Sequence, residues 1–126
     1  MISASRRTTT APTRATPSGS EERVNTVASS GSTETLPDVT VATVHYVTLT
    51  ANCTLTFPTE VAGKSFTLVL VQDGTGSRLV TWPGSVRWSA GTAPTLTATA
   101  SKRDVFSFLC ADGSTYLGFT AGLNYT

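Results

Sequence analysis

The chain has 126 residues, of which 39% are hydrophobic and only 13% charged, with a formal net charge of +1. Those values suit one domain with a modest core, and they leave no overall field to attract nucleic acid or a membrane surface. No stretch approaches the ~18 apolar residues of a membrane-spanning helix, and residues 1–7 run into Thr8-Thr9-Thr10 without the apolar run of a secretory leader, so cytoplasmic synthesis is expected. Ser and Thr supply roughly a third of the chain. Thr is β-branched, so such a chain favours strands with one wet face over helices.

Residues 1–35 form one compositional block, nearly half of it Ser or Thr. This block has too little apolar surface to offset the entropy of ordering, which predicts an extended N-terminal arm. Its tip is basic (Arg6, Arg7, Arg14), and its apolar positions include Val24 and Val27. These five are the candidate anchors of the arm to a partner surface.

From residue 36 to 126 the pattern predicts a β module. Val44-His45-Tyr46-Val47 is β-branched and aromatic. Cys53-Thr54-Leu55-Thr56-Phe57 alternates strictly, with Cys53, Leu55 and Phe57 on one face. Phe66-Thr67-Leu68-Val69-Leu70-Val71 is apolar on both faces, which predicts a central strand or one covered by a neighbouring subunit. Tyr46, Val69 and Val71 are the candidate subunit contacts. Asp73-Gly74-Thr75-Gly76-Ser77 predicts a turn leading to Leu79-Val80-Thr81-Trp82. Pro83-Gly84 breaks that run, Val86-Arg87-Trp88 follows, and Asp112-Gly113 predicts a hairpin between residues 105–110 and 116–119. Short strands between frequent turns predict an all-β fold, a small antiparallel β-sandwich or jelly-roll-like module.

The residues offer little for catalysis or cofactor binding. His45 is the single histidine, and no G-x-S-x-G nucleophile motif occurs. Asp73 and Asp112 precede glycines, where turn chemistry explains them. Gly74-Thr75-Gly76 lacks the remaining residues of a phosphate-binding loop. Cys53 and Cys110 with one histidine give no metal-ligand spacing, and buried free thiols are the default for both. No catalytic residue, metal or cofactor is therefore expected, and the protein is expected not to be an enzyme. Asn52-Cys53-Thr54 matches a glycosylation acceptor that carries no meaning without a leader. Trp82, Trp88, Tyr116 and Phe119 are core candidates whose alternative use is a sugar-stacking platform.

Residues 44–125 resemble a module of bacteriophage virion proteins. The resemblance rests on Leu49-Thr50-Ala51-Asn52-Cys53-Thr54, Ala62-Gly63-Lys64-Ser65-Phe66-Thr67-Leu68, Gln72-Asp73-Gly74-Thr75-Gly76, Val80-Thr81-Trp82-Pro83, Val86-Arg87-Trp88, Gly91-Thr92-Ala93-Pro94-Thr95-Leu96 and Asp104-Val105-Phe106-Ser107-Phe108. Such modules end tail-fibre, minor tail and head-decoration proteins. The resemblance implies a small β-sandwich that associates as a homotrimer on a phage particle, made in the bacterial host cytoplasm.

The short arm before the module favours a capsid decoration (cement) protein, its arms anchored to the major capsid protein. The alternative is a tail-fibre or minor tail protein that binds a host-surface glycan through Trp82, Trp88 and Tyr116. Neither expectation involves nucleic acid or a membrane.

Overall fold

The structure is a computed structural model, and it describes residues 21–126. Nine strands follow in order: β1 (Val24–Val27), β2 (Thr33–Thr35), β3 (Val44–Leu49), β4 (Cys53–Thr56), β5 (Ser65–Gln72), β6 (Val80–Thr81), β7 (Val86–Trp88), β8 (Arg103–Cys110) and β9 (Tyr116–Tyr125). They form a six-stranded sheet, ordered β1-β3-β5-β8-β9-β7, and a three-stranded sheet, ordered β2-β4-β6. The all-β expectation holds.

The pairing departs from the antiparallel sandwich that the sequence suggests. From β1 to β6 the chain alternates between the two sheets, and each strand lies parallel to the one two places earlier. The result is three stacked rungs, β1–β2, β3–β4 and β5–β6. Antiparallel pairing is confined to β5–β8 and β8–β9, while β7 lies parallel to β9. The physical reason lies in the turns. At Asp73 the chain bends across to the other sheet and does not fold back as a hairpin. The Asp73 carboxylate accepts the Thr75 and Gly76 amides and pairs with Arg78 at 2.9 Å. That pairing holds its pKa down to about 2. The buried Gln72 side chain seals the corner, accepting from the Arg78 amide and donating to the Arg78 and Thr97 carbonyls. At Asp112, by contrast, the expected hairpin forms, with the carboxylate accepting the Ser114 and Thr115 amides.

Each rung ends in a recurring signature. Thr33-Glu34-Thr35-Leu36-Pro37 lies over Thr54-Leu55-Thr56-Phe57-Pro58 in register, with the Leu36 amide donating to the Thr56 carbonyl. Thr81-Trp82-Pro83 repeats the ending in the third rung, displaced by two residues because Thr81 lies opposite Thr54. Corners stack as well: Ser30 donates to the Thr48 carbonyl and Cys53 to the Leu79 carbonyl.

A boundary at 35/36 therefore cuts through the folded unit. Val24 and Val27 are rung residues paired with Val44 and Val47, and Val27 packs against the core, so neither belongs to a separate arm. Main-chain pairing in two sheets supplies the ordering energy that composition alone does not suggest. Arg6, Arg7 and Arg14 lie outside the described residues.

The core fills the space between the sheets. Val47, Leu49, Leu68, Leu70, Phe106 and Phe108 come from the large sheet, and Leu36, Leu55 and Phe57 from the other side. Phe57 is the aromatic hub, edge-on to Phe66, Phe108 and Tyr116 within 6 Å. Each such buried side chain contributes roughly 1.5–3 kcal/mol. Both cysteines are buried and free, one in each sheet.

Candidate functional site

The large sheet turns one face to the core and leaves the other uncovered among the described residues. Alternation puts His45, Val47, Leu68, Leu70, Phe106 and Phe108 inward, so their neighbours point out. Strand register arranges the outward side chains in rows. One row runs Val24, Val44, Thr67, Ser107, Phe119. The next runs Thr26, Tyr46, Val69, Val105, Gly122, and a third Thr48, Val71, Arg103, Tyr125. Ser65, Leu109 and Leu117 form a fourth.

Tyr46, Val69 and Val71, the candidate subunit contacts, thus come together on this face, each half-buried. The sequence reasoning passes over their neighbours Val105, Leu109, Leu117 and Tyr125. The alternation Val105-Ser107-Leu109 is the signal that marks them, since it gives the strand a second apolar face. Leu117, Phe119 and Tyr125 are 45–50% exposed. Scattered apolar residues are ordinary on a surface, and a field of several on one face is less so.

Two open clefts indent the face. The first, about 290 Å³, is lined by Tyr46, Val69, Arg103, Val105 and Tyr125. Gly122 makes room for Tyr125, because a Cβ there would come within 2.6 Å of the ring's Cζ. The Arg103 guanidinium donates to the Thr126 carbonyl, which holds the chain end beside this cleft. The second cleft, about 420 Å³, is lined by hydroxyls of Thr43, Ser65, Thr67 and Ser107 together with apolar Phe66, Phe108, Leu109 and Phe119, and by Glu22.

Of the sugar-platform candidates, Phe119 lies on this outward face and not in the core, whereas Trp82, Trp88 and Tyr116 lie elsewhere and serve the core. Tyr116 is fully buried, and its hydroxyl donates to the Pro58 carbonyl at 2.9 Å. Burial pushes its pKa up to about 12. It therefore cannot contact an external glycan. Trp88 covers Gly118 on the inner side, where an added Cβ would come within 2.8 Å of the indole. Trp82 meets Trp88 edge-on at 5.1 Å from the opposite sheet, and both pack on Phe106 and Phe108. The pair closes one end of the sandwich.

His45 is fully buried on β3, beside Asn25 of the neighbouring strand β1. Asn25 donates to its Nδ1 at 3.1 Å, Phe66 meets the ring edge-on, and Nε2 finds no partner in the described residues. Burial lowers its pKa below 6.5, so the ring is neutral at pH 7. Its position serves the join between β1 and β3.

Residues 33–115 match the family described as "Putative phage tail fibre C-terminal domain". The chain belongs to this family. The matched span of the tail fibre C-terminal domain begins at β2 and ends just before β9. It contains all three strands of the small sheet, and β1 and β9 lie outside it. No curated protein and no solved structure matches the chain. Membership makes this tail fibre domain a phage structural module and a component of the virion. No helix in the described residues is long and apolar enough to cross a membrane.

Proposed function

We propose that the protein is a tail-fibre component whose β modules pack against one another through the outward face of the large sheet. The observation that carries this reading is the contiguous apolar field of Tyr46, Val69, Val105, Leu117, Phe119 and Tyr125 on one open face. Burying such a field against a copy of itself removes apolar surface from water at roughly 25 cal/mol per Å². Three copies is the number in keeping with the resemblance to modules that associate as trimers, and closed cyclic symmetry would satisfy every such face.

The family match supports a fibre over a capsid decoration protein. The place of Val24 and Val27 in β1 weighs the same way, since it removes them from the arm that was to grip the capsid. The protein then has a mechanical role: a stable, self-associating knob on a host-directed appendage. Its partners are copies of itself and the remaining fibre polypeptide.

Immunogold labelling of intact particles tests the assignment. Label on the tail fibres is the expected result. Label distributed over the head shell would restore the decoration reading and reject this one.

A further inference from the structure

Strand β1 is held along one side only. It is an outermost strand of the large sheet, four residues long, and it pairs with β3 alone. Main-chain bonds fasten its two ends: the Arg23 carbonyl accepts from the Thr43 and Val44 amides, and the Ser30 amide donates to the Thr48 carbonyl. Val24 and Thr26 point outward and are exposed, so only two side chains grip the inner side. Val27 packs against the core, and Asn25 meets His45.

The Asn25–His45 contact suits one charge state of the ring. The Asn25 amino group donates to Nδ1, so Nδ1 carries no proton and Nε2 does. Nε2 has no partner among the described residues, although His45 is fully buried. Protonation would add a second N–H, at Nδ1, aimed at a donor. Turning the Asn25 amide over would satisfy that N–H and still leave Nε2 and the charge of the ring buried.

No charged group offsets this. Strand β5 presents Phe66 edge-on and Leu68 in register, and β1 presents Asn25. The nearest charges along those strands are Glu22 and Arg23 before β1, both exposed, and Lys64 before β5, which pairs with Asp38. Burial alone lowers the pKa of the ring. A protonated ring therefore has to reach water. On the β5 side the sheet continues through β8 and β9. On the β1 side it ends after one short strand, the element whose local opening costs least.

We propose that His45 makes β1 an acid-released strap: protonation of the ring frees β1 from β3 while the remaining strands stay folded. This goes beyond the self-association reading and does not depend on it.

Amide hydrogen exchange of the full chain at pH 7.5 and 5.5, corrected for the intrinsic effect of pH, tests the proposal. Both values lie above the range in which Asp38 and Asp73 titrate. An exposed histidine titrates near pH 6.5, so amides of β1 should exchange about tenfold faster at pH 5.5. Low urea should leave that rate unchanged, because a local opening exposes little surface. Amides of β7, at the far edge of the same sheet, should keep their rate. His45→Phe should remove the pH dependence of β1. Asn25→Asp should reverse it, because a carboxylate accepts from the imidazolium and holds β1 down at pH 5.5. Tryptophan fluorescence from Trp82 and Trp88 checks that each variant keeps its core. Exchange of β1 that is the same at both pH values, or that shares the rate and urea dependence of β8, would overturn the proposal. An Asn25→Asp variant that still opens on acidification would overturn it equally.

Discussion

Tyr46 on β3 stands directly opposite Val69 on β5, and both side chains point away from the core. Two large apolar side chains paired on a solvent-facing sheet are costly unless something covers them. Next along the same row is Val105, with Gly122 beyond it. With Thr26 at its β1 end, the row runs across five strands of one sheet with no charged residue in it.

Val69→Asp places a carboxylate at the centre of that field. Within an assembly it would be buried without a partner, at a cost of about 3 kcal/mol or more per subunit. The variant should run as a monomer of 13.1 kDa by light scattering, with an unchanged far-ultraviolet spectrum. Assembly that persists in Val69→Asp would place the subunit contact on another surface.

Gly122→Ala should move Tyr125 off the sheet, because the new methyl occupies space the phenol ring now fills. Self-association should weaken while denaturation midpoints shift little, since Tyr125 is 48% exposed. Sedimentation velocity and urea titration read the two effects separately.

Gly76 has φ +76°, and a Cβ there would come within 2.6 Å of the Ala98 carbonyl and 2.9 Å of the Ala100 amide nitrogen. Both obstacles are main chain, which cannot rotate aside. Gly76→Ala should therefore cost more than the ~1 kcal/mol of an ordinary left-handed glycine, about 2–3 kcal/mol by urea unfolding. Gly74→Ala, with open space around it, should cost much less.

Stability should fall on acidification in two steps that begin at different pH. Burial lowers the folded-state pKa of His45 below 6.5, so the unfolded chain takes up its proton first. The His45 contribution is complete above pH 6.5 and is lost as pH falls from there towards the folded pKa. Asp38, hydrogen-bonded to Lys64 and Thr40, and Asp73, held by Arg78, both have pKa values lowered from 3.8 to about 2. Their contributions are present above pH 3.8 and are lost between there and about pH 2. His45→Phe should flatten the upper window and leave the lower one intact in thermal melts recorded from pH 8 to 2. An unchanged upper slope would mean that His45 already titrates normally in the folded protein.

The strands themselves are largely legible in the sequence. The alternation in residues 53–57 and the doubly apolar run 66–71 lie where β4 and β5 form, and the Asp112-Gly113 turn is a hairpin. Strand direction is not legible in the same way. A period of two is identical in parallel and antiparallel strands, so the inter-sheet crossings at residues 28–32, 50–52 and 73–79 resemble ordinary hairpin turns. The spaced repeat Thr-Leu-Pro, Thr-Phe-Pro, Thr-Trp-Pro at 35–37, 56–58 and 81–83 is the signal that reveals the rungs. For the candidate site, Tyr46, Val69 and Val71 follow from the apolar outer positions. Tyr125 and Arg103 do not, because their meeting depends on the β8–β9 register and on a bulge between Arg103 and Val105. Tyr116 follows its first reading as a core aromatic and not the alternative glycan contact, because strand β9 begins with it pointing inward.

A cryo-EM reconstruction of the intact particle tests the central claim most directly, because it gives location and packing together. The expected density has three copies of the module on each tail fibre, with Tyr46, Val69 and Tyr125 of each turned towards a common axis. Modules seated on the head shell, or fibre-borne modules whose large-sheet faces point to solvent, would contradict it.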